Sequence, residues 1–266
     1  MHRNSERLFC MIEKKQIELG QEFVSRNFDK GKLLLVAVTG SHFYGFPAPD
    51  SDLDLKGIHA APVRQILALE KPAQAHNVEE MWRNCLCDFS SNEIEQALRL
   101  LIKGNGNMLE RIFSPYQLFE TEEATRLKEI KAAYLSQRFF HHYAGFFQKK
   151  CAEFAKSDLY LIKPLLYIYR VALTGIHLLK TGEVTGDVRK LAPEYGFSEV
   201  DELIKIYSAT SEKKSLDKAS ASQFVARWPE LENKLNEALI TSCLPEVPGN
   251  PDACSDLLVE IRLKSA

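Results

Sequence analysis

Two aspartates one residue apart, Asp52 and Asp54, follow a Gly40-Ser41 pair on the far side of a short Gly/Pro/Asp-rich stretch. On an extended segment, residues i and i+2 share one face. Two carboxylates held side by side repel each other unless a cation sits between them. Magnesium suits that place when a phosphate also binds, because it takes one or two carboxylates plus phosphate oxygens. Gly40 permits close backbone approach to a ligand. Ser41 can open a helix whose free N–H groups favour phosphate. Taken alone, Asp50-Ser51-Asp52 equally suits a solvated turn. The apolar Leu53, Leu55 and Ile58 that follow favour a strand instead.

The elements that must position these residues are legible in the hydrophobic pattern. Residues 3–29 read as an amphipathic helix with Leu8, Met11, Ile12, Leu19 and Phe23 on its stripe. Residues 33–38 (LLLVAV) form a continuous apolar run, the pattern of a buried strand. Residues 52–58 alternate and give the next strand, and residues 74–89 read as extended. Ser90 with Glu93 three residues later fits a capping box, predicting a helix over 91–103 that stops at Gly104. A short helix around 108–113 follows. Residues 121–180 hold three helical patterns, the last with Pro164 near its start and Thr181-Gly182 at its end. Residues 199–210 and 220–241 are helical, with a further short helix at the C-terminus. Strands thus concentrate before residue 118 and helices after it. This predicts an α+β protein: a small mixed β-sheet core (1–118, with its N-terminal helix) and a helical domain (119–266).

The run Gly40-Ser41, then Asp52-x-Asp54, resembles the signature of polymerase-β-type nucleotidyltransferases. The similar branch is the one labelled RNA-repair-pathway polymerase-β-like. The resemblance extends through GSHFYGF, DSDLDLKGI, GNGNMLERIFSP (104–115) and KPLLYIYRVALTGIHLLKTGEV (163–184), in the family's order, and so covers residues 37–184. One departure is Gly106, where the family commonly carries proline. The resemblance implies a palm-like core and a third carboxylate on a neighbouring strand, for which Asp88 is the candidate. Glu93 competes for that role, although its cap position already explains it; Glu79 and Glu80 are weaker candidates. It further implies that Asp52, Asp54 and Asp88 hold two Mg²⁺ ions, that Asp88 can take a proton, and that Gly40 and Ser41 cradle phosphate. The reaction so implied moves an NMP group from a nucleoside triphosphate to a hydroxyl, with RNA, a small molecule or a protein as the acceptor.

Such a site needs cations. Lys163, Arg170 and His177 are seven apart and share one helical face with Thr174. From spacing alone this stripe is either solvent-facing or site-facing. The resemblance at Lys163 and Arg170 assigns those two to nucleotide, with His177 a bystander. Lys56 stands two residues beyond Asp54, where it either contacts phosphate or neutralises the carboxylates. Adjacent His141 and His142 point about 100° apart on a helix and make a poor metal pair. Phe139, Phe140, Tyr143, Phe146 and Phe147 read as core rather than as a base-stacking platform. Asn105, Asn107 and Glu110 lie in the matching block without an assigned role beyond fixing a loop.

Composition excludes several classes. Hydrophobic residues make up 45% and charged residues 26% of 266, so neither a disordered nor a fibrous chain is expected. With 34 basic against 36 acidic side chains, bulk coating of nucleic acid is excluded. The balance is uneven, however: residues 126–190 hold 12 basic and 5 acidic side chains. This basic region leaves room for a local polyanion site. Six cysteines without metal-ligand spacing, a charged N-terminus, and no apolar run seen as long enough to span a bilayer predict a reduced, cytoplasmic protein without membrane contact. The competing functional readings are a nucleotide-binding module without catalysis and a purely structural protein.

Overall fold

The computed structural model describes residues 12–264. The first helix, α1 (Lys14–Asn27), is shorter than the pattern suggested, and Leu8 and Met11 lie outside the described residues. Glu13 caps it through a reciprocal box with Gln16. There follow β1 (Lys32–Val38), the short α2 (Gly40–Tyr44), β2 (Leu53–Ala60), α3 (Val63–Leu67), β3 (Ala75–Trp82) and β4 (Cys85–Glu93). Next come α4 (Ile94–Ile102), α5 (Gly106–Phe113) and β5 (Gln117–Glu120). The five strands form one mixed sheet in the order β3-β4-β2-β1-β5. Only β2 and β4 run parallel, joined by a crossover that contains α3 and β3.

The sheet separates two apolar layers. On one face Val36, Val38, Leu53, Leu55, Cys87 and Phe89 pack under Phe23 and Val24 of α1. Alternation therefore sends Asp54, Lys56 and Asp88 to the other face, toward the helices. That helical layer comprises α6 (Glu122–Glu129), a 3₁₀ turn, α7 (Phe139–Ala155), α8 (Ile162–Thr181), α9 (Val188–Glu194), α10 (Val200–Ser208), α11 (Lys218–Val225), α12 (Trp228–Ile240) and α13 (Asp252–Lys264). A two-stranded ribbon of β6 (Tyr160–Leu161) and β7 (Ser215–Leu216) joins it. The larger core cluster runs from Leu34 to Ile261, so sheet and helices share one apolar interior.

At its centre is α8, with α7, α9, α10 and α12 packed against it. It ends at Gly182, whose left-handed φ of 71° lets its N–H reach the Leu178 carbonyl. By length and apolarity α8 is a helix that could cross a membrane, contrary to the sequence expectation. Neighbouring helices pack around it, and 78% of its most apolar 18-residue window is buried.

Three local expectations need correction. Ser90 does not cap α4. Instead β4 continues through Glu93, because Ser90 and Ser91 pair with Lys56 and Gly57 in the parallel ladder. The cap is Glu93 itself, whose carboxylate accepts from the Glu95 N–H at 2.8 Å and pairs with Arg262 at 2.7 Å. Residues 74–89 are not one extended segment but a hairpin, turned at Arg83 and Asn84, both with positive φ. The helix expected over 220–241 breaks at Arg227, with Pro229 in the first turn of α12.

A buried histidine in the sheet gives a pH test. His59 lies on β2 at 1% exposure, hydrogen-bonded to Ser91 at 2.8 Å. Burial pushes its pKa down to about 4. As the pH falls below about 6.5, the unfolded chain binds this proton before the folded one does. Stability is therefore expected to fall between pH 6.5 and 4, by up to about 3 kcal/mol from this group. Urea unfolding at several pH values should show a flatter acid limb for His59→Gln.

Candidate active site

The site is built on the sheet face opposite α1. Asp54 on β2 pairs in register with Asp88 on β4, and Asp88 with Glu79 on β3. Paired residues share a face, so three carboxylates form a row across three strands. Asp52 stands just before the start of β2, two residues from Asp54. Like charges placed directly opposite are destabilising. Lys56 relieves part of this: its ammonium lies 2.7 Å from Asp88 Oδ2 and 3.9 Å from Asp54 Oδ1. The compensation is incomplete. Burial, with Asp88 and Asp52 adding to it, pushes Asp54 up to about 6. Burial and the nearby Glu212 also raise Asp52.

Gly40 closes the site from above. Its φ is +61°, and a Cβ there would lie 1.8 Å from Asp54 Oδ2. Only glycine lets this backbone sit against the carboxylate. The Thr39 N–H donates to the Asp54 carbonyl at 2.9 Å, fixing the turn on the strand. Ser41 follows in α2 and is buried, its carbonyl accepting from the Phe46 N–H at 3.0 Å.

Lys163, in the first turn of α8, lies 2.5 Å from Glu212 Oε2. Glu212 sits in the turn before β7 and also accepts from Ser51 Oγ at 3.0 Å, while its N–H donates to Asp50 Oδ1 at 3.0 Å. This turn therefore stitches the 48–52 loop to the head of α8. A cleft of about 550 Å³ opens beside Lys163, walled by Tyr167, Pro164, Phe146 and Phe154.

Arg170 is not in the site. Its side chain is 5% exposed and donates at 2.7 Å to Glu110 Oε1, itself 3% exposed. The Tyr44 hydroxyl donates to the other oxygen of Glu110 at 2.7 Å, and the Arg170 guanidinium lies 3.9 Å from the Tyr44 ring centroid. The pairing buries Arg170 beneath the 40–46 segment, where it positions that segment instead of reaching phosphate. Thr174 is buried beside it. His177 bonds Tyr195 at 3.0 Å, away from the carboxylates. Glu93 is fully buried with Arg262, and Glu80 pairs with Arg26. Sequence reasoning missed the roles of Glu110, Tyr44 and Glu212. Glu110 and Tyr44 stand in the quoted blocks GNGNMLERIFSP and GSHFYGF, whereas nothing in the local sequence marks Glu212.

Among the described residues, no group of three His, Cys, Asp or Glu side chains forms a ready-made metal cage. Magnesium bound together with triphosphate needs only one or two protein carboxylates, which Asp52 and Asp54 supply. The under-compensated row and the open backbone at Gly40 fit such an ion. Cys85 and Cys87 lie on the opposite face of β4 from Asp88 and take no part in the row.

The chain resembles several other proteins in sequence or fold. It is 28% identical over 221 residues to the uncharacterized protein MJ0002 of Methanocaldococcus jannaschii, covering 81% of this chain and 88% of that one. It is 28% identical over 156 residues to the uncharacterized protein YcgL of Bacillus subtilis, 58% of each chain. A solved nucleotidyltransferase-like protein from Exiguobacterium sibiricum 255-15 aligns over 93% of this chain and 80% of its own, at 11% identity and a TM-score of 0.33. The family assignment stands without that structure. The model of the RNA repair pathway DNA polymerase beta family matches residues 3–253, and the chain belongs to that family.

Proposed function

We propose that the protein is a magnesium-dependent nucleotidyltransferase that moves an NMP group from a nucleoside triphosphate to a hydroxyl acceptor, with RNA as the favoured acceptor. The observation that carries this reading is the carboxylate row of Asp54 and Asp88, headed by Asp52 and closed by the backbone of Gly40. Family membership supports it. In this reading Asp52 and Asp54 hold magnesium, with Asp88 beside them. Magnesium bound there would neutralise triphosphate charge and lower the pKa of an acceptor hydroxyl. Gly40 and Ser41 lie against the phosphates, and Lys163 turns from Glu212 to meet them. The acceptor oxygen bonds to the α-phosphorus as the bond to the bridging oxygen breaks. The acceptor's proton passes to Asp88, and pyrophosphate leaves. Five unpaired cysteines among the described residues suit a reducing, cytoplasmic setting.

One observation favours a second reading. Lys56 already stands between Asp54 and Asp88, as in a nucleotide-binding module that needs no metal. Incubation with α-labelled NTPs, Mg²⁺ and RNA separates the two: label transfer supports the enzyme, while binding without transfer supports the module.

Glu212 adds a further test. Its carboxylate holds Lys163 as a phosphate oxygen would. Glu212→Gln is expected to tighten MgATP binding about three- to tenfold, and Lys163→Ala to weaken it about tenfold. Calorimetry on the two variants reads both effects.

A further inference from the structure

We infer that one face of α7 is the track along which a single-stranded polynucleotide reaches the carboxylate row. The inference rests on the transferase reading above and names the surface its acceptor uses. Phe139, Tyr143 and Phe147 are buried, as expected of core, but Phe146 is only half-buried. The His142 ring stacks on Phe146, with centroids 5.7 Å apart and planes at 25°. The Lys150 ammonium lies 5.9 Å from the same ring. His142, Phe146 and Lys150 are four apart and form a continuous stripe about 12 Å long.

This stripe joins two hollows. Phe146 and Lys150 wall the cleft that ends at Lys163. His142 walls a second hollow of about 610 Å³ with Lys103, Arg138 and His141. Among the described residues, neither Lys103 nor Arg138 has an acidic partner. Residues 138–163 carry five basic against two acidic side chains. His142 also packs over Gly106, where a Cβ would lie 2.5 Å from its ring, so a side chain there would push the ring off the stripe.

Cations at both ends of a stacked aromatic pair, of which Lys150 also pairs with Glu153 at 2.7 Å, suit unstacked bases on a phosphate backbone, whereas a duplex hides its base faces. The stripe extends beyond the cleft beside Lys163 to the second hollow at Lys103 and Arg138. This favours a strand over the base of the incoming triphosphate alone.

The test uses the full chain and fluorescein-labelled 12-nucleotide RNA, single-stranded or duplex, read by anisotropy across salt concentrations. Single strands should bind at least about tenfold more tightly than duplex. The double variant Lys103→Ala/Arg138→Ala should lower affinity about tenfold and cut the salt slope by about 1.4. Phe146→Leu, which keeps apolar volume, should lower affinity about tenfold with the slope unchanged. Thermal melts verify that each variant folds, and MgATP binding by calorimetry should not change in either. Unchanged RNA affinity in the folded variants, or equal binding of duplex, overturns the track. Loss of MgATP binding in Phe146→Leu with RNA binding intact overturns it too, by assigning the cleft to the nucleotide base. Failure of the wild type to bind any NTP would remove the transferase reading, while the RNA arms still decide the track.

Discussion

Replacing Asp54 by Asn is expected to reduce nucleotidyl transfer by about three orders of magnitude or more, while leaving the protein as stable or more so. The activity loss follows from the charge lost where phosphate charge must be neutralised, the largest single contribution to such chemistry. The stability gain follows from the row itself. Asp54 is part-buried, stands opposite Asp88, and has only a share of Lys56. Its raised pKa reports that its charged form is disfavoured in the fold. Removing that charge at pH 7.5 without metal should add about 1 kcal/mol, or 2–4 °C in melting temperature. Added Mg²⁺ with NTP should then raise the melting temperature of the wild type and not that of the variant. Melting curves with label-transfer assays check the paired signature. A variant that loses stability and activity together would mean that Asp54 is structural.

The second large effect belongs to Arg170 and Glu110. Arg170→Ala is expected to destabilise the protein by about 3–5 kcal/mol, because it leaves the Glu110 carboxylate buried without its cation. Glu110→Ala should cost a similar amount for the converse reason. Converting both to apolar residues, as in Arg170→Met with Glu110→Leu, should recover much of the loss, since apolar pairs often replace buried ion pairs at little cost. Urea unfolding of the two single variants and the double gives the coupling directly. A phosphate-binding role for Arg170 predicts the opposite pattern: weakened MgATP binding at near-normal stability. The 40–46 segment hangs on this pair through Tyr44, so the single variants should also lose activity by displacing Gly40 from Asp54.

These two residues show how far local sequence reaches. Asp54 was recognisable because its neighbours Leu53 and Leu55 alternate with it, and a strand with one buried face leaves little choice of which side the carboxylate takes. The same logic misleads at Arg170. A basic residue on an apolar helix reads as facing water or ligand, yet a buried partner from another element can neutralise it. Glu110 is that partner, 60 residues away, and no periodicity links the two. Ser90 failed for a related reason. Its spacing to Glu93 is that of a helix start, but the parallel ladder with β2 takes the backbone first. For Asp88 the family resemblance, not local pattern, implies a strand beside that of Asp54, and β4 does lie in register beside β2.

The sequence by itself determined the α+β class, the strand that carries Asp54, the extended character of the segment ending near Asp88, the Gly40 turn and the capped end of α8. These follow from short-range patterns: apolar alternation, a residue without Cβ where the backbone must turn, and a glycine after a helix. Only the tertiary structure decided what faces what. It joined Asp54, Asp88 and Glu79 into one row, put Lys56 between two of them, and set Glu212 on Lys163. It also sank Arg170 into the core while raising Phe146 and His142 to a surface stripe. Pairing energies of this kind depend on distance in space and on the dielectric of the surroundings. Residues far apart in the chain share both only once the sheet and helices have closed around them.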